Sequence, residues 1–251
     1  MTSHASQTQF GKNEPFDLQV ARGQVPGHTL LNVFGYQAAV TTAGPYAVWE
    51  VVGDYVYPTI ATTMLLYSSS ASDTNCAILI SGLDVNYSPI SETLVLTNGT
   101  TGVTTSKSYL RINGIVALDA SYVLPVGTII LGNAGKTAVY AQMNAGVHKS
   151  QAAIYTVPAG YTFYLARAEV YANEAGGGNN YCNYRVYLKN NASGQNFFVL
   201  QSPFVARYEA RRVIPFPYTE KTDLQWQVST GTATSPVGVN IEGYLIKNTT
   251  D

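Results

Sequence analysis

Charge is scarce in this chain. Asp, Glu, Lys and Arg together make up 12% of its 251 residues, about half the roughly 25% of an ordinary soluble domain. The formal net charge is -1, so no global field concentrates nucleic acid or an anionic membrane surface, and neither is expected as a partner. Histidine and cysteine are as sparse. His4, His28 and His148 are the only histidines, and none stands at ligand spacing from another or from a cysteine, which removes the usual basis for a metal centre. Cys76 and Cys182 lie far apart with no CxxC spacing; they read as small core residues, with a disulfide as the alternative.

Long apolar runs are missing too. No stretch approaches the roughly 20 residues of a membrane span, and residues 1–7 lack the basic stretch and apolar block of a secretory signal. The expectation is a soluble protein, in which the Asn-x-Ser/Thr sequons at Asn86, Asn98, Asn191 and Asn248 are turn chemistry. Apparent motifs fail on spacing. The run from Gly132 to Thr137 has two residues between its glycines where a phosphate loop needs four, and strands surround it. The run from Asp84 to Ser88 opens like a calcium loop, but Pro89 and Val95 stand where the turn glycine and the bidentate glutamate belong. Both read as hairpin corners.

What the chain does have is Tyr, Thr, Ser, Asn, Gly and Val, a β-rich composition. From about Val40 onward, short apolar runs alternate with turn residues: residues 77–80, 92–96, 108–112, 114–118 and 128–131, then 152–157, 161–165, 185–189, 196–200 and 223–228. In the last of these Leu224, Trp226 and Val228 are predicted to face a core and their polar neighbours to face solvent. Strand spacing of roughly 8 to 12 residues with no helical stripe predicts an all-β fold of two β-sandwich, jelly-roll-like domains, residues 41–150 and 151–251, with one continuous barrel as the alternative. Residues 1–40 show no sustained period and read as an extended N-terminal arm that orders against a partner.

Catalysis finds little to use. There is no GxSxG elbow. Glu209, Glu220, Asp223 and Glu242 could supply a carboxylate pair for glycoside hydrolysis, but Arg207, Arg211, Arg212 and Lys221 lie close enough in sequence to pair with the first three. The group Arg207, Glu209, Arg211 and Arg212 therefore reads as a salt-bridged face or subunit contact.

Several stretches resemble virion structural proteins of tailed phages, particularly those of aquatic bacteria. They are the arm from Phe16 to His28; Trp49 to Val52 with Tyr57, Pro58 and the run from Ser68 to Asp73; Gly82 to Tyr87 with residues 90–93 and 107–112; and Tyr155 to Tyr161. The resemblance implies a jelly-roll-like, non-enzymatic virion component without a cofactor. It would dock on capsid, portal, adaptor or tail proteins through Phe16, Leu18, Gln19, Arg22, Gln24, Pro26 and His28, and assemble as a homo-trimer or another symmetric homo-oligomer. Two rival classes stand beside it. A receptor- or host-glycan-binding module predicts exposed Trp49, Trp226 or tyrosines, and a polysaccharide-degrading enzyme predicts a cleft with two facing carboxylates.

Overall fold

The computed structural model describes residues 14–118, 125–172, 181–231 and 234–248. Among the described residues the chain is all-β apart from one short helix. It begins with α1 (Phe16–Ala21), β1 (His28–Val40) and β2 (Tyr46–Ala47). It then builds a smaller unit from β3 (Leu65–Ser68), β4 (Cys76–Leu83), β5 (Pro89–Leu96), β6 (Val103–Thr104), β7 (Arg111–Ala117), β8 (Ile129–Gly132) and β9 (Val139–Met143). Last come β10 (Ile154–Thr156), β11 (Tyr161–Ala172), β12 (Cys182–Asn190), β13 (Asn196–Phe204), β14 (Arg207–Tyr218), β15 (Thr222–Thr230) and β16 (Ser235–Lys247).

The sheets draw the unit boundary differently from the sequence reading. β1 is not an arm: it pairs antiparallel with β16, Asn32 opposite Glu242 and Gly35 opposite Val239, and so completes the four-stranded sheet β1-β16-β11-β14. β2 and β10 lie one after the other along one edge of β15, in the sheet β10-β15-β12-β13. The larger sandwich is thus made of residues from both ends of the chain, and the smaller unit, with sheets β6-β3-β8-β9 and β5-β4-β7, is inserted between β2 and β10. β1, which the sequence reading places in the arm, is a strand of the larger sandwich. The physical reason is that β1 has Val33, Gly35, Gln37 and Val40 buried, an inward stripe that only a sheet face can cover. Residues 16–21 are helical where an extended arm was expected, with Val20 buried beneath.

Each unit owns a core. Val33, Phe163, Val186, Trp226, Val239 and Ile241 pack between the sheets of the larger sandwich. Met64, Leu66, Ile80, Ile115 and Leu131 fill the smaller. A third cluster, Ala47, Trp49, Tyr55 and Ile154, sits where the chain passes between them. Hairpins follow local turn chemistry, as at Asp84, whose Oδ1 accepts the backbone N–H groups of Asn86 and Ser88 at 2.8 and 2.9 Å. At Pro158 the chain does not fold back as a hairpin: β10 and β11 lie in different sheets, so this is a corner between layers. β15 departs furthest from expectation. All nine of its residues are buried: on the face that Gln225 and Gln227 were expected to show to water, Asp223 meets Arg111 of the inserted unit and Gln227 meets Arg185 of β12 and Gln225. No helix among the described residues is long and apolar enough to cross a membrane.

Candidate functional site

Two regions gather polar chemistry: the junction between the units and the outer face of the sheet β1-β16-β11-β14. The junction is organised by an ion pair that the sequence did not announce. Arg111, at the start of β7, donates from Nε and Nη2 to the two carboxylate oxygens of Asp223 on β15, at 2.8 and 2.9 Å. Asp223 is fully buried and Arg111 nearly so. The remaining capacity of both is filled: Arg111 Nη1 donates to the carbonyls of Leu110 and Pro58, while Thr156 Oγ1 and Asn191 Nδ2 donate to Asp223 at 2.7 and 2.8 Å. The guanidinium also lies over the Tyr57 ring, 4.6 Å from its centroid. A two-way Asn113–Thr156 contact, 3.0 and 3.1 Å, extends the same seam.

Glu50, on the segment after β2, is buried, with one carboxylate oxygen accepting the N–H of Gln151 and the other without a partner among the described residues. Burial pushes its pKa up from 4.5 to about 7, against the opposing effect of the Gln151 N–H. Because the folded state holds this proton more tightly than the unfolded chain, stability is fully present below about pH 4.5 and is lost as pH rises towards 7. The displacement is worth roughly 3 kcal/mol. We expect Glu50→Gln to flatten the stability profile between pH 4.5 and 7 and to exceed the parent above pH 7, read by urea melts across pH. An unchanged slope would place the titration elsewhere.

Of the charged group read from the sequence, Arg207, Glu209 and Arg211 come together on the outer face. Along β14, Glu209 lies opposite Glu169 and Arg211 opposite Arg167 of β11. Like charges face like across the ladder, and the diagonal neighbours resolve it: Arg167 donates to Glu209 at 3.0 Å, and Arg207 donates to Glu169. Arg167 also meets Glu169 at 2.6 Å and Glu242 of β16 at 3.7 Å. The Tyr171 hydroxyl and the guanidiniums of Arg207 and Arg167 hold the Glu169 carboxyl below its usual range. Arg212 stands apart, its guanidinium 5.5 Å from the Phe216 ring. It opens a bulge: β14 pairs Phe216 with Leu165 and Arg211 with Arg167, so residues 212–215 loop out of the ladder. Val213 is 100% exposed and Ile214 82%. The bulge and Asp17 of α1 wall a groove of about 690 Å³ on the outer face, floored by Leu30, Arg167, Glu242 and Tyr244.

The predicted arm residues fold back on their own sandwich. Phe16 meets the rings of His28 and Tyr244 at 5.9 and 5.7 Å, and Tyr244 donates its hydroxyl to Asp17. Gln19 donates to the Glu14 carbonyl and Arg22 pairs with the Glu14 carboxylate. The Pro26 carbonyl meets His28 Nδ1 at 2.9 Å, and Gln24 Oε1 is buried. Leu18 remains about half exposed. Of the carboxylates weighed for hydrolysis, Asp223 is held by Arg111 and Glu220 accepts the Gly160 N–H, while Glu209 and Glu242 come together on the outer face, both paired with Arg167. Both tryptophans are buried, which overturns the exposed-tryptophan expectation of the glycan reading. Cys76 and Cys182 lie in different units with no disulfide. A second groove, about 560 Å³ between β1 and β5, is lined by Leu31, Pro89, Asn113 and Tyr161, with Lys149 as its one charged side chain.

No family model matches the chain, and no curated protein does. Among solved structures, similarity is found to infectious bursal disease virus. The structure of its Gt strain is 10% identical over 93% of this chain and 78% of that one, with a TM-score of 0.20. A mutant VP2 protein in derived T=1 particles gives 11%, 94%, 79% and 0.17 in the same order. The VP2 subviral particle gives 12%, 94%, 83% and 0.15. These TM-scores lie well under 0.5, and the functional reading rests on the chain's own residues.

Proposed function

We propose that the chain is a non-enzymatic structural component of a virus particle, of the tailed-phage kind that its sequence resembles. In this reading it docks on head or neck and tail proteins through α1 and works as several symmetric copies. The observation that carries it is the fully exposed Val213 and the nearly exposed Ile214, standing on a bulge beside a sheet face that α1 meets at His28 and Tyr244. Burying a side chain of that size is worth about 1.5–3 kcal/mol, and exposed apolar patches of this kind mark contacts with partners. Phe34 and Tyr36 of β1, each more than a third exposed, widen the apolar margin of that face. Two sandwiches, each with its own core, suit a load-bearing part of an assembly.

The test is incorporation. Leu18→Asp changes an exposed side chain of α1, so we expect an unchanged melting temperature and a several-fold lower copy number in purified particles, measured by quantitative mass spectrometry. Normal copy number would remove the docking role of α1, and absence of the parent chain from particles would remove the assembly reading itself.

A further inference from the structure

The outer face of the sheet β1-β16-β11-β14 carries four rows of side chains, fixed by the register. The first holds Leu30, Tyr244, Tyr164 and Pro217, and the 212–215 bulge stands between it and the second at the β14 edge. The second holds Asn32, Glu242, Arg167 and Arg211. The third holds Phe34, Asn240, Glu169 and Glu209, and the fourth Tyr36, Tyr171 and Arg207. Its charges sum to zero, with Arg167, Arg207 and Arg211 against Glu169, Glu209 and Glu242. The apolar features lie at opposite margins, Leu30, Phe34 and Tyr36 on β1 and Val213 and Ile214 on β14.

We propose that this face binds a second copy of the chain, the two sheets packing face to face about a two-fold axis parallel to the strands. This deepens the assembly reading above. An axis in that direction keeps each row at its own level and exchanges the margins, so β1 of one copy lies over β14 of the other, and β16 over β11. Ile214 and Val213 of each copy then enter the 690 Å³ groove floor beside Leu30 of the other. Glu242 meets the other copy's Arg167, and Tyr36 meets its Arg207, an arginine-on-ring contact. The charged pairing in the second row, the ring contact in the fourth and the apolar contact at the bulge all repeat under the two-fold, as an isologous contact requires. The size fits as well. β1, β11, β14 and β16 are 13, 12, 12 and 13 residues long. At about 3.3 Å per residue and 4.8 Å between strands, four such strands cover roughly 790 Å², close to the ≈ 800 Å² per partner of a stable complex.

The full-length chain tests this by sedimentation equilibrium and by cysteine pairing. We expect a mass of twice 27.0 kDa. The double substitution Val213→Asp with Ile214→Asp should return the single-chain mass and weaken association at least about 100-fold, with an unchanged melting temperature because both side chains are in solvent. The pair Leu30→Cys with Val213→Cys should form a covalent dimer under mild oxidation, and neither single substitution should do so. Within one chain those positions lie three strand spacings apart, roughly 14 Å, beyond the ~7 Å a disulfide spans, so the link must join two copies. A monomer at high micromolar concentration, a trimer, or a dimer without this link would each overturn the proposal. A monomer found at normal copy number in particles sinks this face and keeps the assembly reading; a dimer linked through this face but absent from particles does the reverse.

Discussion

Replacing Arg111 by alanine should destabilise the chain by about 3–5 kcal/mol, the loss typical of a buried ion pair deprived of one partner. Asp223 has no exposure and would be left charged in the seam, with only Thr156 and Asn191 to satisfy it. The carbonyls of Pro58 and Leu110 would also lose their donor, each at a further cost of about 1 kcal/mol or more. Two readouts separate this role from ordinary packing. In a double-mutant cycle, Arg111→Met with Asp223→Leu should lose less than the two single substitutions added together, since no charge remains stranded. Urea unfolding of the Arg111→Ala chain should also split into two transitions, because Arg111 belongs to the inserted unit and Asp223 to the larger sandwich. A loss under about 1 kcal/mol would mean that water reaches the seam and the pair is screened.

The seam was illegible in the sequence for a physical reason: its members are separated by 112 residues, and the run from Ser108 to Ile112 presents Arg111 as an ordinary outward residue of an alternating strand. Glu50 was hidden likewise, since nothing local marks a carboxylate that a distant backbone N–H will cover. Local features were readable. The hairpins β4–β5 and β12–β13 form from turn residues that act within a few positions, and both pair as the alternation implies. β1 was missed because its partner β16 lies some 200 residues on, and because Leu30, Phe34 and Tyr36 make its solvent face apolar too, which erases the period of two. For the outer face, the charged group at Arg207, Glu209 and Arg211 was visible. The bulge had a signal that went unread: Val213, Ile214 and Pro215 interrupt a charged edge strand, and proline in an edge strand marks broken pairing.

Trp226→Ala is the second substitution expected to be severe, at about 3–5 kcal/mol. Trp226 is wholly buried in the core of the larger sandwich, and its strand has little freedom to close around a cavity. The Trp226 N–H donates to the Ala153 carbonyl at 3.0 Å, and its carbonyl accepts from Val48 at the same distance. Those two residues flank the inserted unit, so both of its connections are tied at this one position. Trp226→Phe should be much milder, about 1–2 kcal/mol, because the indole Nε1 is buried without a hydrogen-bond partner among the described residues, and phenylalanine removes that unsatisfied donor while refilling most of the space. Chemical denaturation of both variants decides the point: equal losses would show that the indole N–H is bonded in solution. The inserted unit keeps its own core of Met64, Ile80 and Leu131, so Trp226→Ala should leave it folded while the larger sandwich melts first. Self-association should vanish with that first transition, since the face proposed to carry it is a sheet of the larger sandwich.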